Sequence, residues 1–169
     1  MSVFFTSDPH LGHRNILKYR ACFSSIEEHD EAFFSQLYAL NKRDVVKILG
    51  DVVIEKCRPE VYEYYAERLA SARCRVQVML GNHDDLALLK AAGIEMLRPL
   101  ISYKNMWLSH CPIHPQEFRG RTLNIHGHLH GEVVPDARYV NVNLDVNNYR
   151  FVSLDEIKEA ICRNEEEAI

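Results

Sequence analysis

Thr122-Leu123-Asn124-Ile125-His126-Gly127-His128-Leu129-His130 begins as a short β-rich run and stops at three histidines spaced one residue apart. A lone histidine is usually an ordinary core or loop residue. Alternate histidines around a glycine pack a core badly and suit a metal well. The same event recurs toward the N-terminus. Val3-Phe4-Phe5-Thr6-Ser7 reads as a buried strand and runs into Asp8-Pro9-His10. Val45–Leu49 runs into Gly50-Asp51, Val76–Leu80 into Gly81-Asn82-His83-Asp84, and Met106–Ser109 into His110. Taken singly, Asp8-Pro9-His10 reads as a turn or helix cap and Gly50-Asp51 as a common turn pair. Taken together, they put Asp, His and Asn after five strands, the edge where open α/β sheets bind ligands.

Helical patterns fill the intervals. Apolar residues at 33, 34, 37, 38 and 40 predict an amphipathic helix over 28–42. Pro59 opens a second helix, expected to reach Ala72, and a third is expected over Asp85–Ala92, ended by Gly93. Leu100–Tyr103 and Met106–Ser109 around Lys104-Asn105 read as a hairpin. Tyr139–Asp145 reads as a strand with one polar face, and Asn147-Asn148 as a turn. Ser153 and Glu156 form a capping box for a last helix running to about Cys162. The expectation is one domain over residues 1–169, with an acidic tail over 163–169 and no repeat or linker.

Composition narrows the function classes. The 169-residue chain is 47% apolar with a formal charge of −4, which argues against a general polyanion binder. Bound divalent cations would reverse that sign locally. The five cysteines are scattered without a CxxC pair, so they are expected to be reduced thiols in a cytoplasmic protein. No apolar run is long enough to span a membrane. Thiolates are missing from every cluster, which argues against a cysteine-based structural zinc site. Carboxylate and amide oxygens suit manganese and magnesium, and imidazoles suit zinc, iron and manganese. Glycines 12, 50, 81, 127 and 131 stand beside the clusters, where backbone must turn or approach a ligand closely.

The ordered set Asp8-Pro9-His10, Gly50-Asp51, Gly81-Asn82-His83-Asp84, Ser109-His110 and Gly127-His128-Leu129-His130 resembles the calcineurin-like metallophosphoesterases. Ser109-His110-Cys111-Pro112-Ile113-His114-Pro115 looks like a compact bacterial and phage subgroup of that family. The resemblance implies a four-layer αββα sandwich, two mixed β-sheets flanked by helices. It implies two divalent metal ions, manganese first, with iron, zinc, nickel or magnesium as alternatives. Asp8, His10 and His130 would hold one ion, and Asn82, His110 and His128 the other, with Asp51 bridging. His83 would assist at the substrate, held by Asp84. The implied activity is hydrolysis of phosphomonoesters or phosphodiesters of small molecules or nucleotides, by direct attack of a metal-activated hydroxide. The chain lacks an insertion for a cap domain. It carries Val52-Val53-Ile54-Glu55 where the protein-phosphatase branch has an arginine.

Two further readings differ in class: a nuclease acting on ends or single strands, and a non-catalytic scaffold, which the intact ligand set opposes. His13, His114 and Arg14 are candidate substrate contacts, with Arg119 and Arg121 behind them. His126 is a candidate hydrogen-bond partner of a ligand. His29 is expected on the surface near a helix start, and Trp107, Tyr62 and Tyr65 in the core. Oligomeric state has no signal in the sequence.

Overall fold

The computed structural model describes residues 1–54 and 58–159. Strands β1 (Val3–Thr6), β2 (Val45–Leu49), β3 (Arg75–Met79), β4 (Glu95–Leu97) and β9 (Val152–Ser153) form one sheet in the order β4-β3-β2-β1-β9. All its neighbours are parallel except β1 and β9. Strands β5 (Leu100–Tyr103), β6 (Met106–Ser109), β7 (Leu123–His126) and β8 (Tyr139–Asn141) form the second sheet in that order. There β5 and β6 are antiparallel, and β6, β7 and β8 are parallel. Two mixed sheets with flanking helices give the expected α/β sandwich.

Alternation along the strands sorts the core into two layers. Phe5, Val45, Leu49 and Met79 meet Met106, Leu108, Leu123 and Ile125 between the sheets. Val46, Ile48, Val76 and Val78 point the other way, onto α1 (Ile26–Ala39) and α2 (Pro59–Ala70) through Phe33, Phe34, Leu37, Tyr62, Ala66 and Leu69. Among the described residues the fourth layer is thin. Outside the second sheet, the 3-10 turn Pro115–Phe118 lays Phe118 edge-on to Tyr139, 5.3 Å between ring centroids.

Local chemistry sets the boundaries. Ser25 accepts from the Glu28 amide, so α1 starts at Ile26, earlier than the apolar spacing predicts. Asp85 caps α3 (Leu86–Ala91). Lys104 and Asn105 both have positive φ, the tight hairpin turn that asparagine favours. The expected strand over Tyr139–Asp145 is shorter, because Asn141 Oδ1 accepts from the Asn143 amide and Asn143 Oδ1 from the Asp145 amide. These side-chain turns divert the backbone from the second sheet to a bridge with Ser7 in the first. The Ser153–Glu156 capping box forms in both directions. The helix it opens is described over 154–159, so its expected end near Cys162 and the expected acidic tail lie outside the described residues. Strand β4 has no sequence counterpart: it is three residues long, with no alternation to mark it.

Candidate metal centre

The carboxyl ends of β1, β2, β3, β6 and β7 meet at one edge of the sandwich. Backbone bonds from Asp8 N to Gly50 O (2.9 Å), His10 N to Asp51 O (3.0 Å) and Gly127 N to His110 O (2.8 Å) tie their exit loops together. Asp8, His10, Asp51, His128 and His130 all adopt positive φ, between 49° and 68°. Left-handed backbone at residues other than glycine is uncommon and clusters at functional sites, although Asp and His tolerate it better than most. Five such residues in the three loops place their side chains toward a common centre. The glycines between them let the loops close up. A Cβ on Gly127 would fall 2.5 Å from Asp8 Oδ2, and one on Gly81 would collide with the Asp51 carboxylate. Gly131 has open space around it, so close approach does not account for that glycine.

Two donor groups result. Atoms of Asp8, His10 and His130 lie within 4.8 Å of one another, and so do atoms of Asp8, Asp51 and His110. His10 and His130 stack with their Nε2 atoms 3.3 Å apart. His110 Nε2 lies 3.0 Å from Asn82 Oδ1, 3.2 Å from His128 Nδ1 and 3.5 Å from Asp51 Oδ2. His110 Nδ1 donates to Leu49 O at 2.7 Å, which leaves Nε2 as the lone-pair nitrogen of a neutral ring. Lone pairs converging in this way need either a proton or a cation between them. Asp8 Oδ1 is buried and has no hydrogen-bond partner.

The electrostatics agree. Burial pushes Asp8 above the usual carboxylate range, despite the nearby Ser7 hydroxyl and His110. Burial would also raise Asp51, but His110 and the His83 amide hold it below its ordinary value. Burial opposes charge on His110, yet Asp51, Asp8 and the Leu49 carbonyl keep it raised. Burial takes His10 down to about 3. A bound cation would reverse the penalty on the carboxylates.

A buried polar network with no signature in the strand-end motifs stands behind the donors. Arg20, 3% exposed, donates to Asp145 Oδ1 (2.6 Å), Asp8 O (2.7 Å) and Pro9 O (3.2 Å). Asp145 Oδ2 in turn accepts from His130 Nδ1 at 2.8 Å, which leaves His130 Nε2 free to face the centre. Arg20 also pairs with His29 Nε2 (2.8 Å), whose Nδ1 meets Asp30 Oδ1 (2.8 Å), and Asp30 Oδ2 receives the Gly12 amide and the Tyr65 hydroxyl. His29 is therefore fully buried, against expectation. It lies on the inward stripe of α1 and is satisfied by an arginine and an aspartate. Asp145→Asn is expected to lower manganese affinity about 10–100-fold, the usual loss when the partner orienting a ligand histidine is removed. A metal titration showing unchanged affinity would mean that Asp145 serves only the fold.

One further expectation needs correction. Asp84 does not hold His83. Its carboxylate accepts from the amides of Asp51 (2.8 Å), Val52 (2.7 Å), Val53 (3.3 Å) and Gly81 (2.9 Å), clamping the β2 and β3 exit loops together. Burial pushes it up to about 6 even so. His83 is half-buried. Its ring lies 5.9 Å from that of His10, and its amide donates to Asp51 Oδ1 at 3.0 Å. His126 is buried, but its Nδ1 pairs with the neighbouring Gly127 carbonyl and not with a donor of the centre. His114 is exposed and caps the 3-10 turn by accepting from the Gln116 amide. Arg121 lies over Trp107, which is half-buried, and Arg119 pairs with Glu117, so both arginines are already engaged. Cys111 is closer than its sequence context suggests, within 4.8 Å of donor atoms of His110 and His128. Burial, Asp51 and Asp8 raise its thiol, which favours the non-ligating protonated form. His13 and Arg14 lie together just beyond His10, with the His13 and His10 rings 6.1 Å apart.

Comparison with known proteins points the same way. The family model described as calcineurin-like phosphoesterase matches residues 1–166. An uncharacterised protein of Methanocaldococcus jannaschii is 29% identical over 170 residues, covering 94% of this chain and 90% of that one. A glycerophosphodiester phosphodiesterase of Enterobacter lignolyticus is 36% identical over 102 residues, 59% of this chain and 34% of that enzyme. The crystal structure of an Aquifex aeolicus protein of unknown function has the same fold, with a TM-score of 0.71 at 23% identity over 94% of this chain and 98% of that one.

Proposed function

The chain belongs to the calcineurin-like phosphoesterase family, and on that premise we propose that it hydrolyses phosphate esters of small molecules or nucleotides with two divalent metal ions. Asp8, His10 and His130 would hold one ion, and Asn82, His110 and His128 the other, with Asp51 available to both. Manganese is the first choice for this set of oxygens and imidazoles, ahead of iron, zinc, nickel and magnesium. One observation carries the reading: Asp8 Oδ1 is buried without a partner, and Asp8 is common to two donor groups. A carboxylate buried in that way is costly unless a cation or proton meets it.

When bound, such a pair supplies Lewis acidity toward a phosphoryl oxygen and lowers the pKa of water. The protein supplies placement. Arg20 and Asp145 fix the His130 ring, the Leu49 carbonyl fixes His110, and Asp84 fixes the loops that carry Asp51 and His83. His83, beside His10 and free of a carboxylate partner among the described residues, is the group placed to hydrogen-bond or protonate the departing oxygen. The likeness to a phosphodiesterase supports diesters among the substrates.

Elemental analysis after reconstitution with manganese is expected to give two ions per chain. A saturating value of one, or none, rules out the pair. With manganese present, a panel of aryl phosphates, cyclic nucleotides and single-stranded oligonucleotides should show metal-dependent turnover of at least one class. A panel with no turnover overturns the hydrolase reading.

A further inference from the structure

A cleft of about 580 Å³ lies beside the centre, between the 12–15 segment and the first turns of α1 and α2. His13, Arg14, Asn15 and Arg58 line it, with Glu27 as its one carboxylate among the described residues and Tyr65 in its wall. His13 joins the cleft to the centre. Its ring is 6.1 Å from His10, its amide donates to the His10 carbonyl at 3.1 Å, and its buried Nδ1 has no hydrogen-bond partner. Arg14 and Arg58 are exposed, and neither makes an ion pair among the described residues. Arg20, the arginine behind the centre, is committed to Asp145. Among the described residues, two guanidiniums without an ion pair face one carboxylate, so this lining is cationic on a chain whose formal charge is −4. The segment is not loose, because the Gly12 amide is held by Asp30 Oδ2 at 3.1 Å.

We propose that this cleft is a subsite for a second phosphate of the substrate, bound by Arg14 and Arg58 while the scissile phosphate sits at the Asp8–His10–Asp51 centre. Guanidinium pairs bind phosphate through charge-assisted, forked hydrogen bonds, which a neutral leaving group cannot replace. The inference rests on the hydrolase reading and narrows it to esters that carry two phosphates. A bisphosphorylated nucleoside and a short single strand share that chemistry.

The test uses a matched pair of substrates, the p-nitrophenyl ester of thymidine 5′-phosphate with and without a 3′-phosphate, on the manganese-loaded full chain. The 3′-phosphate is expected to lower KM about tenfold, the worth of one good charge-assisted contact. Arg58→Ala should erase most of that advantage, leave kcat on the unsubstituted ester alone and keep both metals. Arg58→Lys should restore only part of it. The Arg14→Ala/Arg58→Ala double variant should erase it fully, and Glu27→Gln should enlarge it. Both arginines are exposed, so the variants should fold. Calorimetric binding of thymidine 3′,5′-bisphosphate against thymidine 5′-phosphate separates the two claims. A binding preference that the variants lose, without any hydrolysis, keeps the subsite and sinks the hydrolase. Hydrolysis with no 3′-phosphate preference, or equal losses on both esters, overturns the subsite. A six-residue oligothymidylate distinguishes the sources. If the strand is a ligand, each arginine removed should flatten the dependence of its log affinity on log salt by about 0.7, the single-strand value per phosphate. A flat response with the nucleoside preference intact assigns the subsite to small bisphosphates.

Discussion

Asp51→Asn is expected to leave a folded protein with fewer than two manganese ions and a rate lower by about 10³-fold, because several kcal/mol of charge stabilisation depend on the pair and each 1.36 kcal/mol is tenfold. The substitution is chosen for what it preserves. Asparagine has the shape of aspartate and tolerates the φ of 54° that residue 51 adopts. The Asp51 amide still donates to Asp84, and the side-chain oxygen can still accept from the His83 amide. The charge between the two donor groups is what disappears. Asp51 is 2% exposed, so no solvent ion replaces it. Metal analysis and kcat at saturating manganese, on the same samples, decide the matter. Two ions and an unchanged rate would exclude a bridging role. Cys111→Ser is the internal control. Its sulfur stands within 4.8 Å of donor atoms of His110 and His128, so a loss of metal there would make the thiol a ligand and change the assignment of the second ion.

The parts of this site legible in the sequence are those that local chemistry writes down. A strand is a short β-rich run, and the residues after its last apolar position face the sheet edge. The clusters that contain Asp8, His10, Asp51, Asn82, His110, His128 and His130 can therefore be located from the sequence without a fold, and the family resemblance is what singles these seven out within them. The supporting residues cannot, because their pairings span the chain: Arg20 to Asp145 crosses 125 residues, and His29 to the Tyr149 hydroxyl crosses 120. One signal is nevertheless present. Ile26, His29, Asp30, Phe33, Phe34 and Leu37 form one buried stripe of α1 at helical spacing, and a His-Asp pair inside an apolar stripe implies a buried partner. A helix started at 28 is too late to show that stripe, and it leaves His29 looking like a surface residue. The role of Asp84 is hidden for a different reason. An aspartate next to a histidine in sequence suggests a pair, but four backbone amides from two exit loops take the carboxylate instead.

That arrangement sharpens the last expectation, the separation of His83 from the metal ligands and from Asp84. His83→Ala should keep both ions and the fold, since the amide that Asp51 Oδ1 holds at 3.0 Å belongs to the backbone and survives the change. If the imidazole donates a proton to the leaving oxygen, its loss should cost about 10²–10⁴-fold. The cost should fall unevenly. An aryl phosphate departs readily without a proton and should lose little, whereas an alkyl or nucleoside ester should lose most of the factor. His128→Ala should instead lower metal content and slow both esters together. Asp84→Asn should keep both ions when metal is saturating: it breaks a clamp of four amides, so it should lower the unfolding free energy by about 1–3 kcal/mol and slow both esters equally. The deciding quantity is the ratio of aryl to alkyl rates in each variant, measured with metal content and thermal stability on the same samples. A metal lost from His83→Ala makes His83 a ligand. Metal retained with both esters slowed alike makes it a residue that holds the phosphate or its charge and never gives up a proton.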